Sequence, residues 1–291
     1  MIERFTVPLG RAATSFFVDH GFVVVPQLLG AGDLETLRAE VTRFERREYP
    51  LVGLDGTPPA VDETLLAVHF PHWVSEPILT TITDPRIAAL PRRLAGAHLP
   101  YWDGSVKCMQ SMLFVKPPGL QGQAWHQDER YIPTRDRSLM GVWIALDDST
   151  IANGCLWVLP GSHRLGYLWP TRPHDEPEQF DFADESHGFD ASGEVPVEVP
   201  AGSVVCFNGY LLHRSRRNRS SLPRRALVHH YCNAYSLLPW GGATHTGRIA
   251  ASAIATFDNR CVVPVGDDPY AWKGYESSPA RVFVRPRTAG P

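Results

Sequence analysis

A chain of 291 residues, 43% of them hydrophobic, holds ample material for a core and reads as globular rather than disordered. A formal net charge of −3 and a pI near 6.5 argue against nucleic-acid or membrane-surface binding. No apolar run is long enough to span a bilayer, and Met1 to Phe5 shows no basic-then-apolar signal pattern.

In chain order, Ala12 to His20 is compatible with a helix that stops at Gly21, a residue suited to a left-handed cap. Phe22 to Pro26 reads as a buried strand. Asp33 is expected to cap a helix whose Leu34, Leu37, Val41 and Phe44 form one apolar stripe. Residues 49–62, rich in Gly and Pro, read as loop. A second helical zone from Ile78 to Leu94 is expected to be interrupted at Pro85 and Pro91. Residues 1–100 thus look like helical support for one face of a sheet.

From Tyr101 the pattern becomes β. Val106 to Val115 is one long strand or a strand pair, and Gly141 to Leu146 is strongly apolar. Asn153-Gly154 marks a tight turn before a strand from Cys155 to Leu159. Gly202 to Tyr210 and Ala226 to Tyr235 add two more. Many short strands between Pro, Gly and Asn turns favour a double-sheet jelly roll over a parallel sheet. The fold class is therefore mainly β with flanking helices, in a single domain over 1–291. Residues 164–198 break the rhythm, with prolines alternating with acidic residues; they read as a solvated acidic insertion or as a substrate lid. The five cysteines show no paired metal spacing and read as buried reduced thiols, which suits a cytoplasmic protein.

The chemistry concentrates in Trp125-His126-Gln127-Asp128 and in the segment from His213 to Ala226. On extended backbone, residues i and i+2 point the same way, so His126 and Asp128 share a face. A distal His213 can close a triangle on a metal, the two-His-one-carboxylate set that leaves three positions open on non-haem Fe(II). Arg224, on a strand beside it, can grip a carboxylate with a two-pronged hydrogen bond.

This order of residues resembles the phytanoyl-CoA dioxygenase family of Fe(II)/2-oxoglutarate enzymes. The likeness extends to Gln110-Ser111-Met112, Lys116-Pro117-Pro118, Gly141-Val142-Trp143 and Asn153 to His163, and covers roughly residues 10–240. It implies a double-stranded β-helix of cupin type, Fe(II) on His126, Asp128 and His213, 2-oxoglutarate as cosubstrate and O2 as oxidant. Residue by residue it implies Arg224 on the distal carboxylate, Ser215 assisting, Trp143 packed along the cosubstrate and Met112 lining the same pocket. One departure stands out: members often place an upstream lysine against 2-oxoglutarate, and Leu65 to His69 holds none. Asp128 disfavours halogenation, because related halogenases lack that carboxylate.

Weaker readings sit beside these. His174-Asp175-Glu176 with His187 is a rival ligand set, but no strand fixes its geometry. Of His229 and His230, alternation lets at most one approach the site. Arg225 should face away as a surface charge, and Trp157 reads as core. Tyr131, Arg130 and Trp240 are candidate contacts to a compact organic substrate, with Trp240 and Trp272 reading equally as pocket rim or as core. The expected partner is a small molecule, with no nucleic acid or membrane, and the chain a monomer or homodimer. A non-redox metal jelly roll, isomerase or hydrolase, would have no use for Arg224 as an anchor. A silent binding module would not need all three ligands.

Overall fold

The computed structural model describes residues 2–53, 58–59, 65–236, 261–270 and 282–286. Helix α1 (Arg11–His20) ends at Gly21, whose φ of 84° is the left-handed cap expected there. It leads into β1 (Phe22–Val25), buried along its whole length. In α2 (Ala31–Glu45) the apolar stripe is as read, but the cap differs. Asp33 is the third helical residue, and its carboxylate reaches back to accept the Gly30 amide at 2.9 Å. The second helical zone is two helices, α3 (Glu76–Thr83) and α4 (Pro85–Leu94). Pro85 begins α4, where its missing N–H costs nothing. Pro91 lies inside α4 and does not interrupt it.

The remaining strands are β2 (Leu51–Gly53), β3 (Leu65–His69), β4 (Val106–Lys116), β5 (Met140–Ala145), β6 (Leu156–Val158), β7 (Thr171–Arg172) and β8 (Glu185–Ser186). They continue with β9 (Val195–Val197), β10 (Val204–Asn208), β11 (His213–Ser215), β12 (Arg224–Asn233), β13 (Val262–Val265) and β14 (Val282–Pro286). The major sheet runs β1-β10-β5-β12-β4-β3-β14-β2, with β13 also paired to β4. A minor sheet runs β11-β6-β9, and β7 pairs with β8. Mainly antiparallel pairing in two sheets is the double-sheet jelly roll expected from the strand spacing, and the double-stranded β-helix that the resemblance implies. The segment before residue 100 does more than support it, because β1, β2 and β3 are themselves strands of the major sheet.

Alternation gives β12 two faces. Arg225, Leu227, His229 and Tyr231 face the helices: the Tyr231 hydroxyl donates to the Ile82 carbonyl at 2.9 Å, and His229 meets the Thr81 hydroxyl at 2.7 Å. The core fills this side, where Leu113, Val142 and Leu227 join Ile78, Ile82 and Leu90 in one cluster. Arg224, Ala226, Val228 and His230 line the other face.

The 164–198 segment is not a free acidic loop. Its backbone is sewn to residues 122–125: the Gly122 amide donates to Gln179, Asp181 donates back to Gly122, and Ser186 donates to Trp125. Phe189 packs edge-on against Trp125 and Trp169. No helix among the described residues is long and apolar enough to cross a membrane.

Candidate metal and cosubstrate site

His126 and His213 face each other in a closely hydrogen-bonded antiparallel pair. The His126 amide donates to the His213 carbonyl at 3.0 Å, and the His213 amide donates back at 3.1 Å. Gln127 is extended (φ −127°, ψ 125°), so Asp128, two residues past His126, turns to the same side before a short 3₁₀ turn begins. Asp128 Oδ1 lies 3.7 Å from His126 Nε2 and 3.6 Å from His213 Nε2. These gaps are too long for hydrogen bonds and suit three donors around an ion at the ~2.0–2.2 Å of protein N and O ligands. Among the described residues this is the one cluster of three such donors within 4.8 Å of one another.

The second nitrogens settle what the first can do. His126 Nδ1 lies 2.8 Å from the Ala124 carbonyl, and His213 Nδ1 lies 2.9 Å from the Leu211 carbonyl. A carbonyl only accepts, so each Nδ1 carries the proton and each Nε2 presents a lone pair. The donor set therefore fits a divalent metal. Burial pushes the Asp128 carboxyl up, but His213, His230 and His126 around it outweigh burial and hold it well below the usual carboxylate range.

His230 is a functional candidate that sequence reasoning left undecided. It lies on the site face of β12, and its Nε2–H donates to Asp128 Oδ2 at 3.0 Å, leaving Oδ1 turned toward the histidines. Register decides the pair, since His229 is buried on the helix side.

Arg224 is 4% exposed, yet its guanidinium has no hydrogen bond or ion pair among the described residues, and its Nε is buried without a partner. It lies over the Trp143 ring, 5.8 Å from the centroid. Burial draws its pKa down to about 10, so it stays cationic at neutral pH. A buried cation without an anion is costly unless a ligand brings one. That vacancy of charge fits a cosubstrate carboxylate. Val228, four residues along β12 and on the same face as Arg224, is flanked by Met112 on β4 and Trp143 on β5, so both share this face. Ser215 is buried on β11 two residues past His213. Where the upstream lysine is absent, His69 at the end of β3 pairs with Gln110 at 3.1 Å.

Several expectations meet corrections. Arg225 does face away from the site, but it is no plain surface charge: it forks onto Asp147 with two bonds of 2.7 Å. Trp157 is half-buried beneath Arg216, 4.4 Å from its ring, rather than in the core. The rival His174 bonds to the Asp181 carbonyl and forms no cluster of three metal donors among the described residues. Tyr131 lies edge-on to His126 with ring centroids 6.5 Å apart. Arg130 is exposed. Trp240 and Trp272 lie outside the described residues.

A jelly roll with two imidazole lone pairs, a carboxylate and a buried unneutralised arginine on one face defines the class. The chain belongs to the phytanoyl-CoA dioxygenase family, whose model matches residues 17–226. A phytanoyl-CoA dioxygenase of Arabidopsis thaliana is 41% identical over 123 residues, which are 42% of this chain and 43% of that protein. The peroxisomal phytanoyl-CoA dioxygenase of Rattus norvegicus is 29% identical over 233 residues, 74% of this chain and 66% of that one. The match thus spans under half the length of the plant relative. Among solved structures, the epimerase SnoN in complex with Fe3+, alpha ketoglutarate and nogalamycin RO superposes with TM-score 0.62 at 20% identity, covering 94% of this chain and 97% of that one. EctD from S. alaskensis with 2-oxoglutarate and 5-hydroxyectoine superposes with TM-score 0.59 at 19% identity over 80% and 79%. Both share the fold.

Proposed function

We propose that this chain is an Fe(II)- and 2-oxoglutarate-dependent dioxygenase that hydroxylates, or otherwise oxidises, an unactivated C–H bond of a small organic molecule, releasing succinate and CO2. The observation that carries the reading is Arg224: a fully buried guanidinium, without a protein anion among the described residues, on the same face as a preformed His-Asp-His cluster. In this reading His126, Asp128 and His213 hold the iron. Arg224 grips the distal carboxylate of 2-oxoglutarate, Ser215 assists, and Trp143 and Met112 flank its carbon chain. Iron, when bound, supplies open positions for the keto acid and O2 and the oxidising power.

The rest is the protein's own work. The carbonyls of Ala124 and Leu211 keep both imidazoles in the ligating tautomer, and His230 fixes the Asp128 carboxylate. Trp143 and Met112, each under a tenth exposed, exclude water from the carboxylate corner. The substrate is a compact organic molecule received near Tyr131 and Arg130, with Trp240 assigned the same role. The whole chain acts as one oxygenase domain, monomeric or dimeric, with 164–198 covering the substrate. The buried thiols of Cys108, Cys155, Cys206 and Cys232, none in a disulfide, suit a reducing, cytoplasmic setting.

The test is succinate formation by the purified chain. Turnover should need both added Fe(II) and 2-oxoglutarate and stop when either is withheld. Metal-dependent chemistry without 2-oxoglutarate consumption would favour a non-redox enzyme instead.

A further inference from the structure

Two sequence motifs remain without a role in that site: Lys116 of Lys116-Pro117-Pro118 and the Asn153-Gly154 turn. They meet in space. Lys116 ends β4, directly opposite Arg224 in the sheet. It is 4% exposed, and burial beside Arg224 draws its pKa well down. Held as an ammonium, it spends all three protons inside the protein: on Ser215 Oγ at 2.9 Å, the Arg216 carbonyl at 2.7 Å and the Gly154 carbonyl at 3.3 Å. The turn is shaped around this amine. Gly154 has a φ of +79°, and a Cβ there would stand 3.0 Å from Lys116 Nζ and 2.2 Å from the Arg216 carbonyl oxygen.

The Ser215 hydroxyl accepts from Lys116 Nζ and, at 3.3 Å, from the Gln123 amide. A hydroxyl has two lone pairs and one proton. Both lone pairs are taken, and the proton has no acceptor among the described residues. Ser215 shares its strand face with His213, two residues away.

We propose that Lys116 is a positioning residue that makes the Ser215 hydroxyl an obligate donor, aimed with Arg224 at the distal carboxylate of 2-oxoglutarate. Lys116 does not touch the cosubstrate, because its protons are committed. It acts through Ser215, whose oxygen it polarises and whose proton it directs. The proposal rests on the cosubstrate reading above and adds to it a buried lysine that stands behind the anchors assigned there.

A double-mutant cycle on the full-length, Co(II)-loaded protein tests this, with 2-oxoglutarate binding followed by calorimetry. Lys116→Met and Ser215→Ala should each weaken 2-oxoglutarate about tenfold, as expected for one hydrogen bond to a charged group. The double variant should be no more than about twofold weaker than either single one. Co(II) affinity, measured without 2-oxoglutarate, should stay within about twofold of the parent in all three. A Lys116→Met protein with unchanged 2-oxoglutarate affinity overturns the proposal, and so do fully multiplicative losses, which would mean that Lys116 acts directly by its charge. An equal fall in Co(II) affinity overturns it too, by pointing to general collapse of the site. Should Lys116→Met not fold, Ser215→Ala alone decides, since unchanged binding there removes the group through which Lys116 acts. Failure of the unmutated protein to bind 2-oxoglutarate would sink the cosubstrate reading as well; normal binding with unaffected variants sinks the role of Lys116 alone.

Discussion

On one face of β12 Arg224 and His230 look into the site; on the other Arg225 and His229 look toward the helices. The residue types are the same and their surroundings are opposite. Arg225 is matched by Asp147 through two short bonds, and His229 by Thr81. Arg224 has no such anion among the described residues, and His230 acts on another ligand rather than on the scaffold. A satisfied buried charge is scaffold; an unsatisfied one calls for an explanation, which the proposed cosubstrate carboxylate supplies.

The contrast breaks first at Arg224. Arg224→Met should weaken 2-oxoglutarate tenfold or more, since up to two charge-assisted bonds of ~1.5–3 kcal/mol each go with it. Urea unfolding should show stability unchanged or raised, because an unpaired buried charge has been replaced by an apolar chain. A marked loss of stability would mean that Arg224 is scaffold after all. Next comes His230→Phe, which frees the outer oxygen of Asp128. Co(II) titration should show metal affinity down about tenfold, the lower end for outer partners of a metal ligand; unaltered affinity would make the contact incidental.

The helix-side histidines should reveal themselves through pH. His72 bonds to the Ser111 hydroxyl, which lies opposite His229 on that face. Burial draws the His72 pKa down to about 4 and that of His229 well below normal. The unfolded chain takes up these protons near pH 6.5, and the folded chain does not. Stability should therefore fall as pH drops below 6.5, by about 1.4 kcal/mol per pH unit for each histidine, down to about pH 4 for His72. His72→Phe should flatten that slope, which urea midpoints at pH 7 and 5.5 would reveal. The smallest effect belongs to Arg225. Arg225→Met should cost about 1 kcal/mol, between exposed and buried ion pairs. It should leave 2-oxoglutarate affinity as it was; a changed affinity would blur the two faces.

What could be read from the chain alone follows the range of the interactions. The His126–Asp128 pair is legible because i and i+2 on extended backbone share a side, and Gln127 is extended. The strand carrying Arg224 is legible to within two residues from its apolar run, whereas the short β11 carrying His213 lies between two expected strands and has no apolar run of its own. The roles of His229 and His230 are not, because neighbours on a strand exchange faces with a shift of one residue and only the register with β4 fixes it. Lys116 is hidden for another reason. Its three acceptors lie 38, 99 and 100 positions along the chain, so no local pattern announces them. The 164–198 segment reads as an acidic loop because its ties are backbone hydrogen bonds, which composition does not record. Pro91 misleads in the opposite sense, since a break expected from residue type is absorbed within α4.

The paired amides and carbonyls of His126 and His213 have a consequence for how the centre is kept. The bite of the two imidazoles is gauged by a rung of peptide groups, so it is set when the chain folds and owes little to the ion. Loops above the site can drift toward new substrates without retuning that gauge. The entropy of gathering the ligands is spent before any metal arrives, which leaves the empty protein a ready chelator rather than one that must be moulded.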